Sequence, residues 1–185
     1  MFQIIETNLP GCFELRPRQF KDDRGLFMTI FQSHWFADHG LCSSYTNEFL
    51  SWSKAGVLRG LHFQVPPMEQ IKLVGCISGR ILDVVVDVRV GSPTYGRHCA
   101  QELTSEQGNL LYVPAGLAHG FCVLSQEASV LYRASQPYSP PSEGGIRWDS
   151  AGIAWPIQSP SLSPKDNLLP ALESFTSPFR FQAEK

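Results

Sequence analysis

The chain has 185 residues, 43% hydrophobic and 17% charged, which suits one globular domain with a sizeable core and makes two domains cramped. Its formal net charge is −2 with both signs interspersed, so no basic stripe marks a nucleic-acid-binding face. Five cysteines (Cys12, Cys42, Cys76, Cys99 and Cys122) are odd in number and contain no CxxC pair. That argues against a disulfide framework or zinc knuckle and for reduced thiols in the cytoplasm.

In chain order, the start MFQIIETNLPG lacks a basic segment followed by a long apolar run, so no signal peptide is expected. No apolar run approaches the ~20 residues that span a bilayer, so no membrane partner is expected either. The runs GCFELRP and GLFMTIF read as strands. SHWFADHG reads as a helix of about two turns, with Ser33 as N-cap and Gly40 as stop. Strand-like runs then recur at roughly 8–12-residue spacing: GVLRGLHFQ, QIKLVGCIS, RILDVVVDVRV, NLLYVPA, HGFCVLS and ASVLYRAS. In RILDVVVDV, Leu82, Val84, Val86 and Val88 share one face while Asp83 and Asp87 share the other, the period of a strand. SPKDNLLPALESF has room for another short helix. The tail of about 15 residues carries Phe175, Phe179 and Phe181, which predicts packing on the body or on a second subunit. The whole reads as an all-β barrel or jelly roll of about ten strands with a few short helices, one domain over residues 1–185.

Three basic residues, Arg59, His62 and Lys72, lie within apolar strand-like runs, where polar groups need partners. Gly108, Pro114-x-Gly116 and His119 follow the spacing of the second motif of the cupin superfamily, the double-stranded β-helix barrels, which they resemble. Cupins carry a His-x-His…Glu metal set upstream. Here Gln64 stands where the second histidine belongs, so a metal site would need a weak amide ligand beside His62, Glu69 and His119. The other use of a barrel mouth holding His62, Lys72 and His119 is acid–base chemistry. Histidine is the side chain suited to a base near neutrality, and a lysine cation stabilises charge growing on oxygen. Arg59 and His62 have opposite strand parity, so both reach one pocket only if the ladder is interrupted, and Gly60 is the candidate bulge.

The runs FKDDRGLF, GVLRGLHFQ, KLV, DVVVDVRVGSPTYG, VPAGLAHGFCVLS, LYRAS, GGIRWDS and LSPKDNLLP, over roughly residues 3 to 170, resemble those of the dTDP-4-dehydrorhamnose 3,5-epimerase family. The resemblance implies a cupin barrel without metal or cofactor, and a homodimer formed by exchange of strands. The substrate would be a nucleotide-diphosphate-linked 4-keto-6-deoxyhexose. It implies His62 as general base with Asp166 as dyad partner, Tyr132 as acid on the opposite face, and Lys72 beside the developing enolate oxygen. Arg24, Arg59, His119, Glu143 and Lys165 match substrate-contacting positions. Departures cluster at one end of the expected site. Asn47, Glu48, Phe49, Leu50 and Ser51 stand where the family has Gln-Asp-Asn-His-Ser; Thr29 replaces a glutamate, Gly75 an arginine, and Pro137-Tyr138 a pair of tyrosines. With Asn47 and Thr29 at substrate-binding positions, the chemistry reads as kept and the recognition as altered. A CDP- or GDP-linked sugar, inversion at C3 or C5 alone, a 3,4-ketoisomerase and a metal-dependent cupin enzyme therefore stand as alternatives.

Overall fold

A computed structural model describes residues 1–182. Thirteen strands, β1 (Phe2–Glu6), β2 (Phe13–Pro17), β3 (Gln19–Asp22), β4 (Gly25–Met28), β5 (Asn47–Lys54), β6 (Leu58–Gln64), β7 (Lys72–Ser78), β8 (Arg80–Asp87), β9 (His98–Thr104), β10 (Leu110–Val113), β11 (Leu117–Val123), β12 (Glu127–Ala134) and β13 (Glu143–Gly145), and one helix, α1 (Ser33–Asp38), make up the regular structure with three short 3₁₀ turns. Two antiparallel sheets of order β1-β2-β10-β7-β12-β5 and β13-β6-β11-β8-β9 face each other, and β3–β4 forms a separate hairpin. Consecutive strands repeatedly cross between the sheets, the jelly-roll pattern of the double-stranded β-helix. The all-β cupin-type barrel expected from the sequence is the fold that forms.

Alternation places the core. Val74 and Cys76 of β7 and Val130 and Tyr132 of β12 point inward from the larger sheet. They meet Ile81 and Val85 of β8 and Phe121 of β11 from the smaller one. Each such fully buried apolar side chain contributes ~1.5–3 kcal/mol. The outer face of the smaller sheet is buried too. Leu61, Phe63, Val84, Val86 and Val88 lie under the C-terminal segment, where Phe179 is buried and Phe175 packs on Phe63. Arg89 lies 4.9 Å over the Phe181 ring, and Val90 bridges Arg180. The last residues of the expected tail, 183–185, lie outside the described residues. On the outer face of the larger sheet, Phe36 of α1 packs against Leu15, Leu73 and Leu110.

Two local expectations are corrected. Ser33 is the first helical residue rather than the cap; Gln32 holds the cap position without a side-chain bond, and six residues make a shorter helix than two turns. SPKDNLLPALESF forms two 3₁₀ turns, Asp166–Leu168 and Leu172–Ser174, because Pro170 interrupts any longer run. β8 also shows why a polar face need not be a wet one. Its Asp83 and Asp87 are fully buried inside the barrel, since the tail covers the valine face.

Candidate active site

The strand carrying Arg59 and His62 is broken as their parity requires. Phe121 of β11 pairs with Arg59 and His119 with His62, so Gly60 and Leu61 together oppose Gly120. Gly60 has φ +122°, and a Cβ there would meet Gly120 Cα at 2.6 Å and His119 O at 2.8 Å. Only glycine fits this bulge, and the bulge turns both basic side chains toward one pocket.

That pocket, about 330 Å³, opens between the two sheets. Arg59, His62, His119 and Glu143 line it from the five-stranded sheet, Lys72 and Tyr132 from the six-stranded sheet, and Lys165 and Asp166 from the loop after it. Arg24, Thr29 and Asn47 do not line it. Arg24 sits at the tip of the β3–β4 hairpin, 91% exposed and paired with Asp22 at 2.6 Å. Thr29 follows β4, and Asn47 opens β5 opposite Ala134.

His62 Nε2 and Asp166 Oδ1 are 2.6 Å apart. Burial by itself would raise the Asp166 carboxyl, but His62, the Ser163 hydroxyl and the Gly60 amide outweigh it and hold it below the usual carboxylate range. An ionised Asp166 only accepts, so His62 carries its proton on Nε2 and keeps Nδ1 as the basic nitrogen. Lys72 is buried, and desolvation lowers its pKa to about 8 against the opposing pull of Asp83 and Glu143. Its ammonium faces the His62 carbonyl at 3.4 Å. Burial pushes the Tyr132 phenol well above its ordinary value, with Ser51 opposing the rise and Asp83 adding to it, so at neutral pH the group is a proton donor. Burial first, offset by Lys165 and Tyr138, leaves Glu143 below its ordinary value; Tyr138 donates to it at 2.6 Å and Lys165 pairs with its other oxygen.

Asp83 escaped the reading of the sequence. Both its oxygens lie 2.9 Å from His119 Nε2, so it fixes that ring, and its charge helps keep Lys72 protonated. Burial raises its own carboxyl. The available signal was an acid in step with Ile81 and Val85, two positions that a barrel buries. The amide of Gln64 is engaged elsewhere, donating to the Met68 and Pro137 carbonyls and accepting from the Ser139 amide. These bonds hold the Gln64 amide to the neighbouring backbone. An anionic substrate would meet Arg59, Lys72 and Lys165, and a carbon acid would meet a base and a proton donor on opposing sheets.

A jelly-roll barrel with this set of groups at its mouth is a cupin-type scaffold equipped for proton transfer. The model of the family described as dTDP-4-dehydrorhamnose 3,5-epimerase matches residues 6–174, and the chain belongs to that family. It is 45% identical over 174 residues to a dTDP-4-dehydrorhamnose 3,5-epimerase of Sinorhizobium fredii, covering 90% of this chain and 88% of the relative. Among solved structures, it is similar to the dTDP-6-deoxy-D-glucose-3,5-epimerase of Legionella pneumophila in complex with dTDP-4-keto-L-rhamnose. The TM-score is 0.94 and the identity 35%, over 99% of this chain and 100% of that one. A 3′-monoepimerase of Streptomyces bikiniensis in complex with dTDP-quinovose superposes with a TM-score of 0.87 at 33% identity, covering 91% and 87%.

Proposed function

We propose that this isomerase inverts C3, C5 or both of a dTDP-linked 4-keto-6-deoxyhexose by taking and returning a proton at each carbon it inverts. The ketone at C4 acidifies the hydrogens on its neighbours. His62, held by Asp166, removes one of them through Nδ1, and the electron pair moves onto O4 as an enolate. The Lys72 ammonium beside O4 stabilises that charge more than the neutral ketone, which is the differential binding that accelerates the step. Tyr132 gives its proton to the opposite face of the same carbon, and the enolate collapses to the inverted ketone. Arg59, His119, Lys165 and Glu143 hold the diphosphate and sugar, the cations providing charge-assisted hydrogen bonds. The observation that carries this reading is the 2.6 Å His62–Asp166 pair facing a buried tyrosine across the pocket.

The test is solvent deuterium. In D₂O the protein is expected to label C3, C5 or both of a dTDP-4-keto-6-deoxyhexose, and His62→Ala to abolish labelling. Absence of exchange with dTDP-, CDP- and GDP-linked substrates alike would overturn the reading. The departures at Thr29, Phe49 and Gly75 keep the nucleotide part of this experiment informative, and the monoepimerase neighbour does the same for inversion at C3 alone.

The reading extends to the assembly. The β3–β4 hairpin pairs with neither sheet and exposes Phe20, Leu26 and Phe27, while Met28, Ile30, Leu73, Ile77 and Leu131 line an apolar groove on the outer face of the larger sheet. Such surface supports a homodimer, in which hairpins cross and Arg24 reaches the partner's pocket. Residues 1–185 are read as one such unit. The five free cysteines support a reducing cytoplasm, and no described helix is long and apolar enough to cross a membrane.

A further inference from the structure

Tyr132 is not held by its own strand alone. The β12–β5 ladder runs in unbroken register from Glu127↔Lys54 to Ala134↔Asn47, which sets Phe49 directly opposite Tyr132. The two rings are 4.7 Å apart and 11° from parallel, a stacked pair. Phe49 nevertheless stays 44% exposed and lines the pocket, so it is a wall of the site rather than a core residue. Two residues along the same face, the Ser51 hydroxyl is buried with no hydrogen-bond partner among the described residues, and it also lines the pocket. An uncommitted buried donor is costly, and native structures keep few of them. This one lies close enough to the phenol to oppose the rise in its pKa, though no hydrogen bond is completed. Two residues further again, Ser53 accepts from Arg59 Nε at 3.0 Å.

We infer that the inward face of β5 positions the proton donor, Phe49 fixing the plane of the Tyr132 ring and Ser51 receiving its oxygen, and that this orientation decides which sugar carbon is protonated. The inference rests on the reading of Tyr132 as the acid. When the phenol gives its proton to carbon it becomes a phenolate, and Ser51, having no other partner, turns its O–H to that oxygen. The stack stops the ring from swinging between the two carbons flanking the ketone. An asparagine at position 49, as the family pattern has it, offers no face to stack on, so this chain holds its acid by a different contact.

The experiment follows deuterium at C3 and C5 separately by NMR, with dTDP-4-keto-6-deoxyglucose in D₂O, for the wild type, F49N, F49Y, S51A and Y132F. F49N and S51A are expected to keep the wild-type melting temperature to within a few degrees. Each should shift the C3-to-C5 labelling ratio about three-fold or more, and F49Y, which keeps an aromatic face for the stack, should keep the wild-type ratio. If the wild type labels one carbon only, F49N is expected to gain labelling at the other. An unchanged ratio in F49N and S51A, or an equal fall at both carbons, overturns the inference. Failure of the underlying reading looks different: Y132F would then invert the sugar as the wild type does.

Discussion

At the scale of single residues, the site is built by burial set against charge. Lys72 shows it most clearly, since its pKa falls from 10.5 to about 8 on desolvation. Between those values the unfolded chain binds more protons at this site than the folded one, so the lysine's penalty on stability is full below pH 8 and disappears as pH rises to 10.5. Lys72→Met is therefore expected to stabilise the fold at pH 7 by up to ~3 kcal/mol, the gain shrinking above pH 8, as urea unfolding across pH would measure. The same variant should lose most of its epimerase activity. In the wild type, kcat/KM is expected to fall as pH rises through about 8, because the neutral amine no longer stabilises an enolate. Asp166 acts the other way: in the proposed mechanism its carboxylate keeps His62 in the reactive tautomer. Asp166→Asn should cost roughly 10²–10⁴ in kcat with little change in KM, measured by steady-state assay. A KM effect alone would assign Asp166 to binding.

At the scale of elements, β6 is where geometry and chemistry meet. Its one-residue bulge at Gly60 puts Arg59 and His62 on the same side, which a regular strand forbids. Gly60→Ala would force a Cβ against Gly120 in a backbone with φ +122°. The expected loss is ~2–5 kcal/mol of stability by denaturant titration, with loss of exchange activity in whatever remains folded. An alanine variant with unchanged stability and rate would mean that the bulge does not set the site. The bulge was legible beforehand, because the two basic residues and the glycine between them conflict in parity unless the ladder breaks. β5 was not. NEFLSWSK exposes Phe49, Leu50 and Trp52, alternates weakly, and carries no turn signal at its start. β9 was missed for a similar reason, its HCAQELT being too polar to read as half-buried.

At the scale of the whole molecule, the exposed hairpin and the apolar outer groove carry the association prediction. Phe27→Glu together with Leu26→Glu should shift the protein from dimer to monomer in light scattering, and should lower activity if Arg24 completes a neighbouring pocket. A monomeric wild type would remove the dimer from the reading. By itself the sequence determined the fold class and the chemical character of the site. Alternation, turn residues and the spacing of His62, Lys72 and His119 are local properties, and strand pairing preserves them. It did not determine the acid pair's place. Alternation set Asp83 and Asp87 on one face of β8 without saying which side that face takes, and they lie inside, because burial on β8 depends on what covers each side of the sheet. Nor did it bring Asp166 to within 2.6 Å of His62 across 104 residues, or Phe49 onto Tyr132 across 83. Those contacts come from how the sheets fold over one another, and only the tertiary structure decides that.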